Sequence, residues 1–229
     1  MNIAIIGDYN IHTRSHAATD AALSHSADWL GLSINYDWIP TNNIHTNFDE
    51  IVNKYNSFWI APGGPFNNMN AVIDIIKYAR ENNKPTIGTC GGFQLMVIEY
   101  ARNVLHIKNA EHAEYNPDTI TPVISPLTCN IKGSPLEINL IDDDLLVSKI
   151  YKSKTIVENY YCSYGINSDF QKIINDSGFC IVGTDETREA RILELKDHPF
   201  YIATLFVPQV NSSKESPNQL ITAFLKADQ

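Results

Sequence analysis

Thr86-Ile87-Gly88-Thr89-Cys90-Gly91-Gly92-Phe93-Gln94 reads as a short apolar strand, a turn hemmed by glycines and the first turn of a helix. Small neighbours on both sides of one cysteine let the backbone turn sharply and leave the side chain at the strand's end, the build of a nucleophile elbow. The helix that follows aims its N-terminal amides and positive dipole end at the sulfur, which favours thiolate and lowers the thiol pKa. A buried structural cysteine beside a tight turn has the same small neighbours, because free cysteine is often buried. Glycines on both sides weigh toward the reactive reading of Cys90.

Outward from this turn the chain repeats one unit. Asn70 to Glu81 places Val72, Ile73, Ile76 and Ala79 at helical spacing, between a strand at Ser57 to Ala61 and the strand at Pro85 to Thr89. Strand, helix, strand at crossover length is the unit of a parallel sheet. Asn2 to Asp8 is an apolar run closed by Gly7, a buried parallel strand, and a helix is expected over Ser15 to Leu30 through Ala18, Ala22 and Leu23. A strand through Ile34 to Ile39 ends at Pro40, and Gly92 to Val104 is helical through Leu95, Met96, Ile98 and Val104.

The second half is less regular. A loop rich in Pro, Thr and Asn is expected from Asn116 to Ser134, then short runs at Leu136 to Leu140, Phe179 to Gly183, Arg191 to Leu195 and Tyr201 to Phe206. The last two suggest a hairpin, and Ser216-Pro217 opens a C-terminal helix through Leu220, Ile221 and Phe224. With no repeat, low-complexity tract or Gly/Ser linker, the expectation is one α/β domain over residues 1–229. Its central sheet is mostly parallel with helices on both faces, and it carries a small β-rich extension.

Composition narrows the class of function. The 229 residues are 44% hydrophobic and 19% charged, as in ordinary globular proteins. A net charge of −9, with no basic block, argues against nucleic acid as a partner. No apolar stretch approaches the roughly 20 residues of a membrane span, and the N-terminus shows no basic flank or cleavage site, so a cytoplasmic protein without membrane contact is expected. Cys90, Cys129, Cys162 and Cys180 are widely spaced and lack CxxC pairing, so neither a metal site nor a disulfide framework is expected.

Several stretches together bring a family into view: IAPGGPFNN, IIKYARENNKPTIGTCGGFQLMVIEYARNV and NAEHAEYNPD between Ile60 and Asp118, IAIIGDYN at the start, Glu158 to Asn167, and SGFCIVGTDETREARILELKDHPFYIATLFVPQ near the end. Nearly the whole chain resembles the class I glutamine amidotransferase domain of CTP synthase. The resemblance implies a flavodoxin-like amidotransferase fold with Cys90 as nucleophile. It implies Gly64 and the Gly91 amide at the oxyanion, and Gly63, Phe66, Gln94, Glu114, Ser163 and Tyr164 around the substrate.

Three departures stand against that likeness. Where the family has His-Pro-Glu near the C-terminus, this chain reads Val207-Pro208-Gln209, and neither Val207 nor Gln209 can take a proton from the thiol or return one to a leaving amine. A basic stretch of the family appears as Glu158 to Asn167, with Ser163 at the place of the Arg that pairs with the substrate carboxylate. The ATP-dependent synthetase domain is absent from these residues, which also lack a GxxxxGK[ST] loop, so synthesis of CTP by this chain alone is not expected.

His112 lies two residues before Glu114 and is a candidate replacement base, against the simpler reading of a solvated loop histidine. His12 and His16 sit where the first strand-to-helix loop approaches the sheet's carboxyl edge, and His198 sits in an Asp-His-Pro turn of structural character. Tyr160, Tyr161 and Tyr164 would line a pocket or join the core. Two functions follow. One is cysteine-dependent amide hydrolysis or transfer on an amino-acid-like substrate other than free glutamine, with no cofactor and a partner synthetase or a second copy of the chain. The other is an inactive amidotransferase-like protein that binds a ligand or regulates an enzyme.

Overall fold

In the computed structural model, residues 1–128, 133, 135–141 and 144–227 are described. The first half alternates strand and helix: β1 (Asn2–Ile6), α1 (Arg14–Leu30), β2 (Asn35–Ile39), α2 (Phe48–Lys54), β3 (Ser57–Ile60), α3 (Met69–Glu81), β4 (Thr86–Thr89) and α4 (Gly91–Asn103). The second half adds β5 (Glu111–His112), β6 (Pro122–Pro126), β7 (Pro135–Leu140), α5 (Leu146–Tyr151), β8 (Thr155–Asn159), β9 (Tyr164–Ile166), α6 (Ser168–Asp176), β10 (Phe179–Thr184), β11 (Ala190–Leu195), β12 (Tyr201–Thr204) and α7 (Gln219–Lys226).

The main sheet has the order β2-β1-β3-β4-β12-β11-β10-β7-β8, and β5-β6-β9 form a small second sheet. Strands β2 through β12 in that order are mutually parallel, while the joins from β12 outward to β8 are antiparallel. Every residue of β3, β4 and β12 is buried, as expected of strands covered by helices on both faces. Because they run parallel, β1, β3, β4 and β12 gather their carboxyl ends at one edge, where open α/β sheets hold their ligands.

An ion pair joins the C-terminal halves of α3 and α4. Arg80 Nε and Nη2 meet the Glu99 carboxylate at 2.8–3.2 Å, and Glu99 is fully buried. Residues 91–101 of α4 are all buried, so the helix below Cys90 is held on every side.

Two expectations are corrected. The stretch expected as loop from Asn116 to Ser134 contains β6, whose prolines sit at the strand ends, where a missing N–H costs no ladder bond, and whose Val123 and Ile124 are buried. The last helix does not begin at Ser216-Pro217. Asn218 caps it, its side chain accepting from the Leu220 and Ile221 amides, and so shifts the start to Gln219.

Candidate active site

Cys90 closes β4 and is the N-cap of α4, with φ 53° and ψ −107°, a strained conformation for a residue with a side chain. Its amide donates to the Thr204 carbonyl at 2.8 Å, so β12 holds the turn from one side. No side chain caps the helix, leaving its first-turn amides directed at the sulfur's end. A methyl group on Gly91 would meet the Gly63 carbonyl oxygen at 1.7 Å, and one on Gly92 the Ile60 oxygen at 2.2 Å. The glycines therefore allow α4 to approach the end of β3, and no other residue fits there.

The turn after β3 carries the other half of the elbow's surroundings. Gly63 and Gly64 have φ of 104° and 154°, and the Gly64–Pro65 bond is cis. His16 Nδ1 accepts the Asn10 amide at 2.9 Å, so Nε2 keeps its proton and donates it to the Pro62 carbonyl at 3.0 Å. Burial lowers the His16 pKa, and the ring acts as a neutral strut under the glycine loop. His12 is exposed, and its amide donates to the Asn10 side chain.

A cavity of about 200 Å³ opens over Cys90. Gly63 and Gly64 line it from the β3 turn, Gln94 from α4, Glu114 and Tyr115 from the segment after β5, and Tyr161, Cys162, Ser163 and Tyr164 from the segment joining β8 to β9. Gln94 Nε2 donates to the Tyr164 carbonyl at 3.0 Å, tying that segment to α4. Glu114 is the single charged side chain of the lining. Phe66, His112 and Gly91 are outside the lining, although Gly91 lies against the Gly63 backbone.

Contrary to the expectation of unpaired thiols, Cys90 is joined to Cys162 in a disulfide across 72 residues. The segment joining β8 to β9 crosses the carboxyl end of β4 and brings the two Cα atoms to 6.1 Å, within disulfide reach. Cys180 is half-buried and its sulfur contacts the Gly178 carbonyl. Cys129 lies outside the described residues.

His112 is fully buried behind the cavity, stacked on Tyr115 with ring centroids 4.2 Å apart and tilted against Tyr164 at 5.1 Å. Its Nδ1 accepts the Glu114 amide at 3.1 Å, which leaves the proton on Nε2, an atom with no partner among the described residues. Burial pushes its pKa down to about 4. The one lone pair of the neutral ring is thus occupied, and its bond to Glu114 is to the backbone, not the carboxylate. The simple alternative of a solvated loop histidine is corrected by this burial.

Val207 is buried in an apolar setting, its amide donating to the Asn159 carbonyl at 3.2 Å. Gln209 Nε2 donates to Thr19 Oγ1 at 3.0 Å and to Oγ1 of Thr89, the residue before Cys90, at 3.3 Å. His198 accepts the Phe200 amide in its turn. Tyr160 is core, packed on Phe206 and beneath the Arg191 guanidinium, while Tyr161 and Tyr164 reach the cavity. Tyr115 and Cys162 were not anticipated as site residues. Cys162 had a signal, a second cysteine in the segment expected to face the substrate, but nothing local to pair it with Cys90.

Among the described residues there is no cluster suited to a metal ion and no helix long and apolar enough to cross a membrane. A family model described as Glutamine amidotransferase class-I matches residues 17–227. The CTP synthases of Clostridium beijerinckii and Saccharolobus solfataricus are 33% and 29% identical to the chain, each over 99% of it but only 44% of their own length. The chain thus spans less than half of these relatives. The glutaminase domain of Trypanosoma brucei CTPS with bound acivicin superposes with a TM-score of 0.91 at 22% identity, covering 99% of this chain and 93% of that one. A glutamine amidotransferase from Thermotoga maritima superposes with a TM-score of 0.62 at 8% identity, over 99% and 95%. At such identities the structural likeness establishes the fold.

Proposed function

Because the chain belongs to the class I glutamine amidotransferase family, we propose that it hydrolyses or transfers the C–N bond of a small amide other than free glutamine, with Cys90 as nucleophile. The cavity lining supports this reading. It joins Cys90 to the glycine loop and Gln94, yet its one charge is Glu114 and it holds no Lys or Arg. Free glutamine brings an α-carboxylate that calls for a cationic fork or several strong donors. Ser163 offers a hydroxyl there. An amide bearing an amino group and no free carboxylate suits Glu114 instead.

In the reduced site the Cys90 thiolate adds to the amide carbonyl carbon, and the Gly64 and Gly91 amides receive the developing oxyanion. The C–N bond then breaks, nitrogen leaves with a proton, and water or an acceptor amine releases the acyl group from sulfur. Val207 and Gln209 carry no proton in these steps. The Nδ1 lone pair of His112 is bonded to the Glu114 amide, so we assign proton transfer to water in the cavity and give His112 the task of positioning Glu114. Residues 1–229 act as one unit, without a cofactor; the partner is a separate synthetase that would use released ammonia, or a second copy of the chain.

Reduced protein incubated with a panel of amide-like electrophiles, chloroacetamide among them, is expected to be labelled at Cys90 faster than at Cys162 or Cys180, and to lose that fast labelling in Cys90→Ser. A folded, reduced protein that forms no adduct across a varied panel would contradict the reading.

A further inference from the structure

Amide chemistry gives Cys162 nothing to do, yet its sulfur is bonded to the nucleophile. Cys90 and Cys162 are 8% and 5% exposed, and both line the same solvent-reaching cavity. We propose that they form a reversible dithiol–disulfide couple, in which Cys90 attacks a low-molecular-weight disulfide and Cys162 resolves the product.

The atoms balance in two steps. The Cys90 thiolate attacks one sulfur of a disulfide RSSR, forming a mixed disulfide and releasing RS⁻. The Cys162 thiolate then attacks the Cys90 sulfur, the Cys90–Cys162 bond forms and a second RS⁻ leaves. The protein loses two electrons and two protons, and RSSR becomes two thiols. Reduction is the same path reversed.

Three features fit this chemistry better than they fit amide cleavage alone. A thiolate leaves without a general acid, because its pKa is near 8.5, whereas an amine must be protonated. A site with Val207 and Gln209 in the triad positions is equipped for the first and not for the second. The uncapped N-terminus of the 13-residue α4 favours the anionic form of Cys90, the attacking partner. The fold brings the partner sulfur to the elbow, with a Cα separation of 6.1 Å inside the ordinary disulfide range. Cys162 also sits in an irregular segment between β8 and β9, anchored on either side of it by the bonds of the Tyr160 and Ser163 carbonyls to the Gly133 and Leu127 amides. The couple has a consequence for the site: in the oxidised state the Cys90 sulfur has no lone thiolate to attack carbon.

Cystamine is the probe of choice, because its amino groups suit the Glu114 lining. The full chain is equilibrated in cysteamine/cystamine mixtures, quenched, alkylated and peptide-mapped. Wild type is expected to gain or lose two alkyl groups as a unit, at Cys90 and Cys162, with the oxidised-to-reduced ratio following cystamine over the square of cysteamine. Cys162→Ser is expected to accumulate a cysteamine adduct on Cys90, and Cys90→Ser to leave Cys162 unmodified. A wild-type pair that stays bonded, or stays as two thiols, across all mixtures while the protein remains folded overturns the proposal. So does Cys162→Ser without an adduct on Cys90. The titration reads no amide turnover: a protein that releases no amine or ammonia from amide substrates leaves this couple standing, and a pair that stays as two thiols leaves the amide reading standing.

Discussion

A methyl group on residue 91 has nowhere to go but into the Gly63 carbonyl oxygen, 1.7 Å away. Gly91→Ala is therefore expected to push the glycine loop off the elbow, at a cost of about 1–3 kcal/mol for overpacking, and to slow alkylation of reduced Cys90. A thermal melt paired with peptide-mapped labelling measures both. Val207→His combined with Gln209→Glu restores the types of the missing partners, but Ser163 still offers a substrate carboxylate no cation. The double variant is expected to release no ammonia from glutamine, and ammonia release at a rate above wild type would show that the base alone was missing. The turn at Cys90 is legible in the residues themselves, and the resemblance points to Gly63, Gly64, Gln94, Glu114, Ser163 and Tyr164, which line one cavity with Cys90. Cys162 was not paired with Cys90 because a bond across 72 residues leaves no local trace. For His112, its proximity to Glu114 is legible in the sequence, whereas the orientation of its ring comes from stacking on Tyr115 and a tilted contact with Tyr164.

Between elements, an ion pair ties α3 to α4. Glu99 is fully buried and Arg80 is its cation, so Arg80→Ala strands a carboxylate in the interior. The expected loss is about 3–5 kcal/mol, read as a lower denaturant midpoint. Arg80→Met with Glu99→Leu is expected to recover most of it, because no buried charge is then unpaired. The parallel strands and their helices could be read from the sequence because full burial writes itself as unbroken apolar runs. The antiparallel half was less legible. Strand β8 exposes alternate residues and β6 is framed by prolines, while α2 and α5 are only 7 and 6 residues long, too short for a helical period to repeat.

For the whole molecule, two buried groups pull stability in opposite directions with pH. Burial raises the pKa of Glu158 to about 7, with Asn211 as its hydrogen-bond donor. Its unfolded value is near 4.3, so the folded state binds the extra proton between these limits, and its contribution is full below about pH 4.3 and lost as pH rises toward 7. His112 goes the other way. Its pKa is pushed down to about 4 from an ordinary 6.5, so its contribution is full above pH 6.5 and lost as pH falls toward 4. Over pH 4.5–6.5 the two slopes oppose. Glu158→Gln is expected to leave stability rising more steeply with pH, and His112→Gln to leave it rising less or falling, as unfolding curves at several pH values will show. Equal slopes in both variants would mean that neither group is buried as described.

On the proposed reading, Cys90 is a working nucleophile held in check by Cys162. The most direct measurement is the rate of iodoacetamide alkylation at Cys90 at pH 7, mapped by peptide, before and after mild reduction of the folded protein and against the same chain denatured. The account predicts no labelling before reduction and, after it, labelling of Cys90 faster than in the denatured chain, as a thiolate at a helix N-terminus requires. A reduced, folded protein whose Cys90 reacts more slowly than it does in the denatured chain would contradict it.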